Sequence, residues 1–168
     1  LLIIAGENSQ ANILLCDHSS HEKQSLSTQV TEIFVEQGAK LNLYELEETA
    51  PTNTRVASLF VQQMSDSCFN HCNVTLTNGF TRNTVAVSLE GRGAHTSING
   101  LAIGDKQQHI DNNTLVEHKV PDCTSEELYK YILDDFSTGV FNGKMHIYPG
   151  AQRTSSQQTN RNLCLTSC

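Results

Sequence analysis

RNTVAVSLE, residues 82–90, alternates without a break: Val85, Val87 and Leu89 fall on one side of an extended chain, and Thr84, Ala86, Ser88 and Glu90 on the other. That period of two reads as a half-buried strand with the aliphatic trio inward. Strand-like segments recur on both sides of it. They start near Thr28 (TQVTEIFVEQ), Lys40 (KLNLYELE), Arg55 (RVASLFVQQ), Cys68 (CFNHCNVTLT), His95 (HTSINGLAI), Gln108 (QHIDNNTLVEHK), Leu128 and Gly139. Alternate members lie roughly 27 residues apart, and a period in the twenties built of two strands and two turns marks a solenoid. The predicted fold is therefore all-β, with two-strand rungs stacked into a β-helix and little or no helix. A β-sandwich of short strands is the alternative, but hairpin chemistry is scarce: Asn78-Gly79 and Asn99-Gly100 are the clear turn dipeptides.

Upstream, LLIIA and ANILLC are short apolar strands separated by a turn at Gly6–Ser9, and Asp17–Ser27, with His18 and His21, reads as an outward loop. In CFNHCNVTLT, Val74 and Leu76 assign positions 68, 70, 72, 74 and 76 to the core face and send His71 outward. Cys68, His71 and Cys72 then cannot converge on one metal ion. Residues 124–133 carry both a helix start, Ser125 ahead of Glu126 and Glu127, and a strand alternation; continuity of the stack favours strand.

Residues 138–168, TGVFNGKMHIYPGAQRTSSQQTNRNLCLTSC, read as a strand, a polar outer turn reaching Asn162, and a returning strand at LCL. If Leu163 and Leu165 face inward, Cys164 and Cys168 lie outside, about 13 Å apart, too far to share a metal. Leu163, Cys164, Leu165 and Cys168 are the candidate interface residues. Catalytic, cofactor-binding and metal-binding residues are expected to be absent.

A length of 168 residues suits one domain, and a start on Leu1 and a stop on Cys168 suggest an excised piece. With a net charge of −7 and 11 Lys and Arg, no basic cluster is available for nucleic acid. LLIIA is too short for a membrane span, so a soluble protein is expected. The six cysteines fit free thiols in a cytoplasmic protein. His118 and Cys123 flank Pro121 at a bend, where the histidine is expected to tie down the turn. Asp134-Asp135 with Lys144 and Arg153 is the one arrangement that suggests catalysis, as in a carbohydrate-active β-helix enzyme using exterior carboxylates. Adjacent Asp residues on opposite strand faces and the absence of Trp count against it.

A string of separated residues gives a more specific signal: His109, Asp111, Thr114, His118, Pro121, Cys123 and Ser125, then Val140-Phe141-Asn142-Gly143-Lys144, Ala151-Gln152-Arg153-Thr154, Gln158, and Asn160 through Leu165. In that order they resemble the SufD side of the SufB/SufD family, the scaffolds of the SUF machinery for iron–sulfur cluster assembly. The resemblance implies a right-handed parallel β-helix and a non-catalytic scaffold that pairs with a SufB-like scaffold. On that resemblance, an iron–sulfur cluster is expected to form where the two helices meet, and a SufC-like ATPase to dock through C-terminal helices. It also implies that residues 1–168 form one core fragment without the family's N- and C-terminal helical parts or its Cys-Ser-His-Gly motif. The position of the sister scaffold's cysteine falls on Asn160. An isolated fragment is expected to pair with itself as a dimer through residues 139–168.

Overall fold

The computed structural model describes residues 1–19 and 23–166, and every element in it is a strand. Twelve strands run β1 (Leu2–Ala5), β2 (Gln10–His18), β3 (Ser25–Val35), β4 (Lys40–Glu48), β5 (Asn53–Gln63), β6 (Cys68–Thr77), β7 (Phe80–Leu89), β8 (His95–Gly104), β9 (His109–His118), β10 (Thr124–Leu133), β11 (Thr138–Ile147) and β12 (Ser155–Cys164). Odd strands form one sheet in the order β1-β3-β5-β7-β9-β11, and even strands form a second in the order β12-β10-β8-β6-β4-β2. All pairings within both sheets are parallel. Each odd strand and the even strand after it make one rung, and the rungs stack into a β-solenoid. The sandwich alternative is thereby excluded, because a sandwich joins its neighbours antiparallel.

Paired residues are separated by 26 positions at Leu59 and Val85 and by 31 at Tyr129 and Asn160. Apart from one slip at Glu47/Glu48, where β4 pairs with β6, the strands keep their register, and the turns absorb the difference. The turns entering the even strands repeat one conformation: Asn8, Gly38, Asp66, Gly93 and Asp122 all adopt positive φ, between 55° and 73°. Asn, Asp and Gly tolerate that region best. Gly93 has a second reason, since a Cβ there would meet Asp66 Oδ1 of the preceding rung at 2.3 Å.

Val85, Val87 and Leu89 face inward and are buried, as the alternation predicts. They join Ile33, Val35, Leu41, Leu43, Leu59, Val61, Phe69 and Ile98 in an apolar half of the interior, near the turns that lead from odd to even strands. The other half is polar, and there one expectation fails. In β6 the inward residues are Phe69, His71, Asn73 and Thr75, whereas Cys68, Cys72, Val74 and Leu76 face out. The rule that aliphatic residues mark the core face misassigns this strand because two of its inward polar side chains bond carboxylates on the neighbouring rung, His71 Nε2 with Glu45 and Thr75 Oγ1 with Glu47.

Three further expectations are corrected. Asn99-Gly100 is not a turn but lies inside β8, where Gly100 leaves room for Tyr129: a Cβ would meet the ring at 2.2 Å. The polar run after Thr154 is not an outer turn but strand β12, paired residue for residue with β10. The Asp17–Ser27 loop is shorter than expected, because β2 extends to His18 and β3 starts at Ser25; His21 lies outside the described residues. Residues 124–133 form a strand, β10.

Candidate functional site

The polar half of the interior is a hydrogen-bonded chain running along the solenoid axis. Arg55, with a side chain 3% exposed, donates from Nε to Asp17 Oδ2 at 2.7 Å and from Nη1 to Asn83 Oδ1 at 2.6 Å. Asn83 Nδ2 donates to Asn112 Oδ1 at 3.0 Å, Asn112 Nδ2 to the Tyr131 phenol at 2.6 Å, and that phenol to the Val140 carbonyl at 2.9 Å. The chain links strands from β2 to β11. Every donor after Arg55 points the same way, so the positive charge sits at one end of an ordered line of dipoles.

Two carboxylates flank this line. Glu47 is buried and accepts from Thr75 Oγ1 at 3.1 Å and from Thr81 Oγ1. Burial pushes its pKa up, and the threonine hydroxyls and Arg55 only temper the push. Burial also works against Glu45, but the His71 hydrogen bond at 2.8 Å, with the charges of His71 and Arg55, outweighs it and holds the Glu45 pKa down. Between these groups and Tyr129 the interior leaves room for about one water molecule, not for a substrate.

The C-terminal rungs hold a second buried group. Glu127 is 3% exposed, and neither carboxylate oxygen has a hydrogen-bond partner. Thr114 is close enough to temper the upward push that burial gives its pKa, but its hydroxyl is outside bonding geometry. His118 is fully buried, its Nε2 lies 2.8 Å from Ser125 Oγ, and burial lowers its pKa. It ties the end of β9 to the start of β10, the turn-fixing role expected of it. Cys123 is buried with Sγ 3.2 Å from the Gly91 carbonyl.

The candidate interface residues sit differently from expectation. Pairing with β10 puts Leu163 in the outward column beside Ile132 and Cys164 in the inward column over Leu133, the reverse of the sequence reading. The register is fixed by β10, whose inward residues are Ser125, Glu127, Tyr129 and Tyr131. Leu163 is 55% exposed, and Leu165, just past the strand, is 60% exposed. Cys168 lies outside the described residues. Asn160 pairs with Tyr129 and so belongs to the inward column.

The residues of the carbohydrate-enzyme reading do not come together. Asp134 and Asp135 occupy the turn after β10 rather than a strand, Lys144 is on the outward face of β11, and Arg153 is held by a two-pronged pair with Asp122 at 2.6 and 2.9 Å. Among the described residues, no three His, Cys, Asp or Glu side chains are grouped to hold a metal ion. Nor does any helix among the described residues run long and apolar enough to cross a membrane.

Sequence reasoning missed the axial chain because its members are 28, 29 and 19 residues apart. The detectable signal was an Arg or Asn replacing an aliphatic residue at an inward position of consecutive odd strands.

Comparison with known proteins agrees with the architecture. Residues 1–168 match the family model for the SUF system FeS cluster assembly SufBD core domain. The chain is 32% identical over 143 residues to an iron–sulfur cluster assembly SufBD family protein of Mycobacterium leprae, covering 81% of this chain and 36% of the relative. A SufBD family protein of Synechocystis sp. is 23% identical over 175 aligned positions, covering 99% of this chain and 39% of the relative. The iron–sulfur cluster assembly protein SufD of Escherichia coli is 32% identical over 99 residues, covering 59% of this chain and 23% of the relative. The chain thus spans well under half the length of these curated relatives.

Proposed function

Because the chain belongs to the SufBD core-domain family of the SUF system for iron–sulfur cluster assembly, we propose that it acts there as a non-catalytic scaffold that pairs with a SufB-like scaffold. The observation that carries this reading is an interior filled by its own side chains beneath an outer surface that still offers apolar contacts. A scaffold needs rigidity and a docking surface. The hydrogen-bonded axis supplies the first, and the outward row Ile103, Ile132 and Leu163, continued by Leu165, supplies the second.

In this reading the iron–sulfur cluster is cargo, assembled between the two scaffolds and not held by this chain alone. A SufC-like ATPase engages the longer polypeptide outside residues 1–168. The protein is cytoplasmic, in keeping with free thiols at Cys16, Cys68, Cys72 and Cys123. Without the partner scaffold, the row ending at Leu163 and Leu165 pairs with a second copy of itself.

The test is sedimentation of the full-length protein, alone and with its SufB-like scaffold. Leu163→Lys with Leu165→Lys is expected to weaken both the heterodimer and the homodimer at least tenfold while leaving the melting temperature unchanged. Unchanged association would overturn the assignment of this surface, and a full-length protein that never binds the second scaffold would overturn the scaffold reading itself.

A further inference from the structure

The segment Cys68-Phe69-Asn70-His71-Cys72 has no part in the axial chain through its two thiols, since both face outward from β6. Their surroundings differ. Cys72 stands between Tyr44 of β4 and Asn99 of β8, and burial raises its pKa. Cys68, four residues earlier on the same face, stands between Lys40 of β4 and His95 of β8. Its sulfur also lies 3.7 Å from the Asn70 amide nitrogen, a donor to it.

His95 is held from its far side. Its Nδ1 is 2.7 Å from Thr124 Oγ1, on β10, and Thr124 is its register partner. In the tautomer whose Nδ1–H donates to that hydroxyl, Nε2 is the ring's acceptor nitrogen and is free to act as a base. Adjacent strands are about 4.8 Å apart, so one rotation of the Cys68 side chain brings its thiol toward the imidazole. The row Lys40, Cys68, His95 and Thr124 therefore places a cation, a thiol, a base and the group that orients the base across four neighbouring strands. A nucleophile beside a base that a third group orients is the arrangement that activates thiols. The surroundings of other thiols differ: Cys16 pairs with Leu46, Cys72 lies between Tyr44 and Asn99, and Cys123 is buried.

We propose that Cys68 is a reactive surface thiol, and that the row forms a site for thiol–disulfide exchange with low-molecular-weight disulfides. His95 Nε2 takes the proton from Cys68 Sγ, and the thiolate attacks one sulfur of the disulfide. The S–S bond of the reagent breaks as the Cys68–sulfur bond forms. The departing thiolate leaves with the bond's electron pair and is protonated by the His95 imidazolium. Cys68 is oxidised to a mixed disulfide, and half of the reagent is reduced to a thiol. Lys40, in the same row, favours the approach of negatively charged disulfides.

The experiment exposes the folded full-length protein to excess glutathione disulfide and follows each cysteine by peptide mass spectrometry. Cys68 is expected to form its mixed disulfide at least tenfold faster than Cys72. His95→Gln should slow Cys68 at least fivefold without changing the rate at Cys16, which serves as an internal control. Thr124→Val, which frees the imidazole but removes no reacting group, should slow it in the same direction. Equal rates at Cys68 and Cys72 would overturn the proposal, as would a Cys68 rate indifferent to both His95→Gln and Thr124→Val in variants that keep the parent melting temperature.

Discussion

Asn112 on β9 donates to the Tyr131 phenol on β10 at 2.6 Å, so the axial chain crosses from the odd sheet to the even one at this pair. Tyr131 is 2% exposed, burial pushes its pKa up to about 12, and its hydroxyl stays protonated to donate onward to Val140. Tyr131→Phe removes one oxygen, strands the buried Asn112 amide and takes the phenol donor from the part-buried Val140 carbonyl. The expected cost is about 1–3 kcal/mol, measured as a lower urea midpoint with an unchanged slope. A midpoint equal to that of the parent would mean that the crossing carries no stability.

Arg55 is the charged end of the chain. Arg55→Met leaves Asp17 without its partner and the buried Asn83 without its donor; because the Asp17 side chain is a third exposed and stays partly solvated, the expected cost is about 1–3 kcal/mol. The variant should melt well below the parent. Asp17→Asn with Arg55→Met should recover part of the loss, because the stranded charge is gone. No recovery in the double variant would shift the cost from the charge to the packing of the guanidinium.

The face assignment of β6 and β7 is testable by one pair of substitutions. Val87→Asp buries an unpaired carboxylate where the side chain is 1% exposed, and the cost of several kcal/mol rivals the stability of a domain. Val74→Asp, on the outward face, should fold. Circular dichroism melts of the two variants are expected to differ by tens of degrees, and equal melts would contradict the faces described.

Glu127 gives stability a pH dependence of definite sign. Its folded pKa is raised, so folding favours the protonated acid. The native state is unpenalised below the ordinary carboxylate value and loses stability as pH rises through the folded pKa. Glu127→Gln should therefore stabilise the protein at pH 7 and make no difference below about pH 4. His118, with its pKa lowered by burial, acts in the opposite sense: its contribution is present above the ordinary histidine value and is lost as pH falls through the lowered one. Melting curves between pH 4 and 8 separate the two, and a Glu127→Gln advantage that grows toward acid would contradict the assignment.

The solenoid was legible in the sequence wherever burial and hydrophobicity coincide. Val85, Val87 and Leu89 announce their face, and the recurrence of such strands announces the stacking. Legibility ended where the interior is polar. His71 and Thr75 look like part of an outer face because their justification lies one rung away: His71 is paired with Glu45, and Thr75 with Glu47. A local pattern cannot show that a polar side chain is satisfied by a residue 26 or 28 positions off. The same blindness reversed Leu163 and Cys164. Two leucines around a cysteine look like a core strand, yet β12 takes its orientation from pairing with β10 and not from its own hydrophobicity.

Strand pairing conserves register while the separation between partners ranges from 26 to 31 residues, with a slip at Glu47/Glu48. Changes of chain length are thereby confined to the turns, while the height of the stack changes in whole steps of about 4.8 Å, one rung at a time. The molecule is in this sense a ruler with fixed graduations. Excising one complete rung would bring its two ends closer by one graduation and leave every surviving column aligned, whereas losing a single residue within a strand would turn that strand inside out.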